Sequence, residues 1–175
     1  LTVAMSPSAD GMLIDDFSSE SSALGTRWVL VSDRVMGGVS DGRMSRTTIA
    51  GRQGLCMRGA VSLENNGGFL QLALDLGPAG TLDASAYAGL RVVVRGNGER
   101  YNLHLKTGDV RRPWQSYRQG FQAGPDWEEV RLPFAGFRPH RVDAPLDTGR
   151  LRRIGLVAIG RPIAVDLCVA EVGFF

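Results

Sequence analysis

In FLQLALDL, Phe69 to Leu76, leucine falls on every second position. A pleated strand sends successive side chains to opposite faces. Leu70, Leu72, Leu74 and Leu76 therefore share a core face, and Phe69, Gln71 and Asp75 take the other. The same rhythm recurs along the chain. In GLCMRGAVSL, Leu55, Met57, Val61 and Leu63 oppose Cys56, Arg58 and Ser62. In YNLHLKT, Tyr101, Leu103 and Leu105 oppose Asn102, His104 and Lys106; in IAVDLCVAEV, Ile163, Val165, Leu167 and Val169 oppose Asp166 and Cys168. IGLVAIG, Ile154 to Gly160, is apolar on both faces and predicts a central strand covered on both sides.

Helical patterns are scarce. SSESSALG (Ser18 to Gly25) and DASAYA (Asp83 to Ala88) predict at most a turn or so of helix each. Many short strands separated by turn signals predict a single all-β sandwich or barrel. The 23 glycines of this 175-residue chain run close to double a usual share of about 7%, as glycine-rich turns would require. Asn97-Gly98, in RGNGER, predicts a two-residue hairpin between neighbouring strands. Trp127, opening GPDWEEVRLPF, is expected in the core. Residues 1–11 are expected to be a flexible leader or cloning remnant, and residues 12–175 one domain.

Several chemistries are unsupported. No Gly-x-Ser-x-Gly elbow, phosphate loop or dinucleotide fingerprint is present. Asp15-Asp16 and Glu128-Glu129 are adjacent pairs, which a strand points to opposite faces, so neither pair aims two carboxylates at one bond. Two cysteines and two histidines at scattered positions give no legible zinc site. Cys56 and Cys168 are expected as reduced thiols. A net charge of +2 without a basic run predicts no nucleic-acid partner, and no apolar run approaches the ~20 residues of a membrane-spanning helix. No catalytic residue, metal or cofactor is expected.

Two glycine pairs stand out. VMGGVSDG (Val35 to Gly42) follows the strand-like WVLVSD, and ENNGGF (Glu64 to Phe69) precedes the leucine strand. Glycine permits positive φ and close approach. The spacing predicts that VMGGVS folds over the non-core side of the leucine strand, with its glycines against the Phe69 ring. A second candidate surface is the outward row Asn102, His104 and Lys106. Arg91 and Arg95 are expected beside it across the hairpin, with Trp114, Ser116 and Arg118 continuing it. Planar polar groups, guanidinium and an aromatic suit a sugar, a carboxylate or a protein.

WVLVSDRVMGGVSDG, GAVSLENNGGF, YAGLRVVVRGNGERYNLHLKT and WEEVRLPFAGFRP, in this order, resemble the complex I intermediate-associated protein 30 family, from about Leu13 to Phe175. The resemblance implies a galactose-binding-like jelly roll. It also implies a non-catalytic role in assembling NADH:ubiquinone oxidoreductase, through protein partners and without a cofactor. The matching motif positions are Trp28, Asp33, Met36, Gly37, Gly38 and Ser40, then Asn65, Asn66, Gly67, Gly68 and Phe69. The arginine-heavy composition, with Lys106 the sole lysine, suggests a bacterial source. The expected location is the cytoplasm or the inner-membrane surface, with periplasm or secretion left open. The alternative function is carbohydrate binding on a sheet face, through Arg95, Asn102, His104, Lys106, Trp114 and Arg118.

Overall fold

The structure is a computed structural model, and it describes residues 11–77 and 80–175. The leader expected at residues 1–11 lies almost wholly outside the described residues. The described residues form twelve strands: β1 (Met12–Asp15), β2 (Val29–Ser32), β3 (Asp41–Ile49), β4 (Arg52–Val61), β5 (Phe69–Asp75), β6 (Gly89–Gly96), β7 (Arg100–Thr107), β8 (Ser116–Gln122), β9 (Glu128–Pro133), β10 (Arg138–His140), β11 (Leu151–Ile159) and β12 (Ile163–Phe174). They build two six-stranded sheets, antiparallel in every pair. The first runs β3-β4-β12-β6-β9. In it β1 takes the lane beside the C-terminal half of β12, where β4 has ended. The second runs β10-β8-β7-β11-β5-β2.

The alternation read from the sequence sets which side of each sheet is greasy. Leu70, Leu72 and Leu74 of β5, Tyr101, Leu103 and Leu105 of β7, and Ile154 and Leu156 of β11 are buried against the other sheet. There they meet Leu55, Met57, Val92, Leu167 and Val169. Removing this apolar surface from water is the main drive for the two layers to pack. β11 lies between β7 and β5, and Val157 on its other face is buried too, as the doubly apolar run requires. Leu63 departs from the pattern: it falls past the end of β4 and is 46% exposed.

Three other expectations fail for physical reasons. Asn97-Gly98 does not join a paired hairpin, because β6 and β7 belong to different sheets. Asn97 instead pins the corner between the layers. Its Nδ2 donates to the Ala164 carbonyl at 2.7 Å, and its Oδ1 accepts from Tyr101 Oη at 2.7 Å. Ser18 to Gly25 and Asp83 to Ala88 form bends and turns rather than helix. In the first, Ser22 Oγ pairs with Thr26 Oγ1 across a short loop at 2.9 Å. Serine and aspartate side chains offer the backbone such local partners in place of helical ones.

The cysteines are not reduced thiols: Cys56 and Cys168 form a disulfide. They sit directly opposite each other on β4 and β12, with Cα atoms 4.0 Å apart. Residues separated by 112 positions become cross-strand neighbours, a proximity that spacing alone does not reveal. Trp127 lies on the outer face of the first sheet rather than in the core. Its Nε1 donates to the Ile49 carbonyl at 2.8 Å, and Arg95 lies 5.8 Å from its ring centroid.

Candidate functional site

The two glycine motifs meet at one buried carboxylate. Asp33 opens a 3-10 turn, Asp33–Met36, that follows β2, and it is fully buried. Its Oδ1 accepts from the Ser40 amide at 3.0 Å. Its Oδ2 accepts from the Ser40 hydroxyl, from the Gly68 amide at 2.6 Å and from the Phe69 amide at 3.3 Å. Ser40 Oγ in turn accepts from the Ser62 amide at 2.9 Å. One side chain thus ties the end of β2 to the start of β5 and, through Ser40, to the end of β4.

The glycines make room for that carboxylate. A Cβ at Gly38 would stand 2.5 Å from Asp33 Cγ, and one at Gly67 would stand 2.5 Å from Asp33 Oδ2. Gly37 serves a different need: at φ 85° it ends the turn in the left-handed region, and its amide donates to the Arg34 carbonyl at 3.2 Å. Asn65 and Asn66 take φ of 54° and 58°, which asparagine tolerates better than most residues. The space beside Gly38 and Gly67 holds the Asp33 carboxylate. Burial alone would raise the Asp33 carboxyl, but the donors from Ser40, Gly68 and Phe69 hold it below the ordinary carboxylate range.

Trp28 is a buried anchor. Its Nε1 donates to Asp15 Oδ2 at 2.9 Å, and its ring centroid lies 5.9 Å from that of Phe17. Met36 points the other way. It is 58% exposed, its neighbour Val35 is 75% exposed, and Leu63 stands out on the adjoining loop. The clasp holds polar groups inside and leaves apolar side chains outside.

The sheet-face residues divide. Asn102, His104, Lys106 and Arg118 share the outer face of the second sheet, with His104 directly opposite Arg118. Trp114 lies in the loop just before β8, is 50% exposed, and has Arg112 at 5.8 Å from its ring centroid. Lys106 Nζ donates to the Pro113 carbonyl at 3.0 Å, which fixes this loop at the Lys106 end of the face. Arg95 is not there. It sits opposite Cys168 on the outer face of the first sheet, because the chain changes layers at Asn97-Gly98.

Register adds residues that the sequence does not single out. Arg138 lies opposite Arg118, His140 opposite Ser116, and Arg153 opposite Lys106. Arg138 and His140 flank Pro139 on a three-residue strand at the sheet edge, the position proline tolerates. His104 faces outward as expected, yet neighbouring side chains cover it to 8% exposure, and its Nε2 has no hydrogen-bond partner. Burial first, and then Arg118, Lys106 and His140, push its pKa down to about 3. Burial, followed by Arg152, Arg153 and Arg118, lowers Lys106 to about 8.

On the first sheet's outer face an open groove of about 720 Å³ runs past Trp127, Arg91 and Glu129. Four of its charged side chains pair: Arg91 with Glu171 at 2.6 Å and with Glu129 at 3.6 Å, and Arg131 with Glu129 at 3.3 Å. Among the described residues, no cluster of histidine, cysteine, aspartate and glutamate is arranged to hold a metal. No helix among them is long and apolar enough to cross a membrane.

Residues 16–169 match the family described as complex I intermediate-associated protein 30 (CIA30). The chain belongs to that family. The Asp33 clasp, the Trp28 anchor and the exposed Met36 all lie within the matched residues. A search of the curated proteins found no match to the sequence. Among solved structures, the chain is similar to the family 11 carbohydrate-binding module of the cellulosomal cellulase Lic26A-Cel5E of Clostridium thermocellum. The TM-score is 0.72 at 15% identity, with 94% of each chain covered. The Clostridium thermocellum family 11 module in complex with a β-1,3-1,4-mixed-linked tetrasaccharide gives 0.68 at 14% identity, again over 94% of each chain. An exo-β-agarase gives 0.61 at 11% identity, with 94% of this chain but only 25% of that one covered. At such identities the likeness speaks for the fold: this CIA30 domain is an all-β jelly-roll sandwich of the galactose-binding-like kind.

Proposed function

We propose that this CIA30 domain is a non-catalytic interaction module that assists assembly of a membrane-bound NADH:ubiquinone oxidoreductase complex. The observation that carries this reading is the Asp33 clasp, which fixes the loops that present Val35, Met36 and Leu63 to solvent. Large apolar side chains held outward on an immobilised loop are a cost in solution unless a partner covers them. A rigid presentation also spares a complex the entropy of ordering the loop on binding. The place we propose is the surface of the inner membrane. The Cys56–Cys168 bond supports its oxidising side over the reducing cytosol. Affinity capture of the tagged protein from native membranes tests the function. Subunits of the oxidoreductase are expected with the natural chain and not with Met36→Asp; capture no better than an unrelated sandwich domain would count against it.

A second reading is favoured by the exposed Trp114 beside the polar row of the second sheet. An exposed ring stacks on a sugar face, and planar polar groups orient hydroxyls. The neighbour in complex with a β-1,3-1,4-mixed-linked tetrasaccharide lends the same reading an analogy of fold. Titration with soluble glycans, with and without Trp114→Ala, separates it from the first.

A further inference from the structure

The outer face of the second sheet carries positive charge that its own residues do not neutralise. Arg138 stands beside Arg118 on β10 and β8, and Arg153 stands beside Lys106 on β11 and β7. Like charges directly opposite on neighbouring strands destabilise a sheet. Arg153 is paired with Asp75 at 2.8 Å. Among the described residues, Lys106, Arg118, Arg138 and Arg152 enter no ion pair. Lys106 and Arg118 are held instead by neutral groups: the Pro113 carbonyl at 3.0 Å and Ser116 Oγ at 2.8 Å. The charges that perturb His104, Lys106, Arg118 and His140 are all cationic. Within this cluster, the buried Nε2 of His104 has no partner.

We propose that this face binds an acidic polysaccharide, one whose sugar units carry carboxylate or sulfate groups. The inference rests on the glycan reading above and specifies its charge. The clustered guanidinium and ammonium groups match anions spaced along a chain, and guanidinium suits planar carboxylate in particular. Trp114, fixed at the Lys106 end by the Pro113 contact, supplies an exposed ring for a sugar. Asn102 extends the same face past His104, opposite Gly120. An acidic protein segment would use the charges but would not need the ring. A neutral glucan would use the ring and leave the charges uncompensated.

The test uses the full chain with four probes: polygalacturonate, a sulfated carrageenan, mixed-linkage β-1,3-1,4-glucan and polyglutamate, followed by affinity electrophoresis and calorimetry. At least one acidic polysaccharide is expected to bind, with affinity falling roughly tenfold or more from low salt to about 0.5 M NaCl as the charges are screened. Arg138→Gln, at an exposed edge position, is expected to weaken binding with no change in melting temperature, and Trp114→Ala to weaken it again. Arg118→Gln gives a second charge variant, checked for folding by its melting curve. Neutral glucan bound as tightly as the acidic polymers, without salt dependence, would overturn the charge assignment and leave the glycan reading standing. Binding of no polysaccharide would overturn both. Polyglutamate bound as tightly as polygalacturonate, with no effect of Trp114→Ala, would overturn the proposal in favour of an acidic peptide.

Discussion

The Gly68 amide donates to Asp33 Oδ2 over 2.6 Å, across 35 positions of sequence. That bond joins the two glycine pairs of the chain into one clasp. With the Ser40 amide and hydroxyl and the Phe69 amide, Asp33 receives four donors in a site closed to water. Asp33→Ala would strand them all. Removing a buried, charge-assisted acceptor in this way is expected to cost about 3–5 kcal/mol, read by urea denaturation. A loss below about 1 kcal/mol would show that the clasp does not hold the loops.

The same carboxylate sets an acid limit. Its pKa in the fold lies below its ordinary value. Between the two values the unfolded chain binds more protons, so stability falls as pH falls. The contribution is complete above the unfolded carboxylate value of about 3.9 and disappears as pH passes down through the folded value. The stability gap between the natural chain and Asp33→Asn is expected to be constant near neutrality and to narrow below about pH 4.

The glycines are separable by cause. Gly37 needs its φ of 85° but has open space beside it, so Gly37→Ala is expected to cost about 1 kcal/mol. At Gly38 and Gly67 a methyl group would meet the Asp33 carboxylate at 2.5 Å. Gly38→Ala and Gly67→Ala are expected to cost about 1–3 kcal/mol each, and to lose most of that penalty in an Asp33→Ala background. Thermal melts of the three single and two double variants check the coupling. Additive penalties would place the strain elsewhere.

The Cys56–Cys168 bond closes a span of 112 residues. Constraining so long a loop in the unfolded chain is expected to stabilise by about 2–5 kcal/mol. Melting with and without reductant measures it. Thiol labelling of the protein in its native cell tests the compartment as well: no free thiol is expected, and two labelled thiols would place the chain in a reducing environment.

His104 is expected to stay neutral across the physiological range. Its pKa in the fold is about 3 against about 6.5 unfolded. In that window the unfolded state binds the extra proton, so stability falls as pH drops below about 6.5. A titration of melting temperature from pH 8 to pH 5 should slope more steeply for the natural chain than for His104→Leu. Equal slopes would show that the ring is hydrated.

The layers were legible because the core rests on a local rule. Alternation in FLQLALDL and YNLHLKT placed Leu72 and Leu103 inward without knowledge of their partners, and both are fully buried. What alternation cannot supply is which strands pair. Asn97-Gly98 has hairpin chemistry, but Tyr101 and Ala164 recruit Asn97 to a corner between sheets, and Arg95 is carried to the opposite side. The disulfide was hidden for the same reason, since only the β4–β12 register brings Cys56 to Cys168. The motif positions were recognisable as a set, yet their hub was not. Asp33 looks like an ordinary turn residue until Gly38 and Gly67 are seen to close on it. Arg138 and His140 could have been found by one signal, the proline between them that marks an edge strand.

Photo-crosslinking from position 36 in native membranes tests the central claim most directly, because Met36 is 58% exposed at the tip of the clasp. A benzophenone side chain there is expected to capture subunits of the NADH:ubiquinone oxidoreductase, and to lose them when Asp33→Ala loosens the loop. The same group at position 114, in the Trp114 loop of the other site, should not capture them. Equal capture from both positions, or capture at position 36 that survives loss of Asp33, would contradict a partner site built on the clasp.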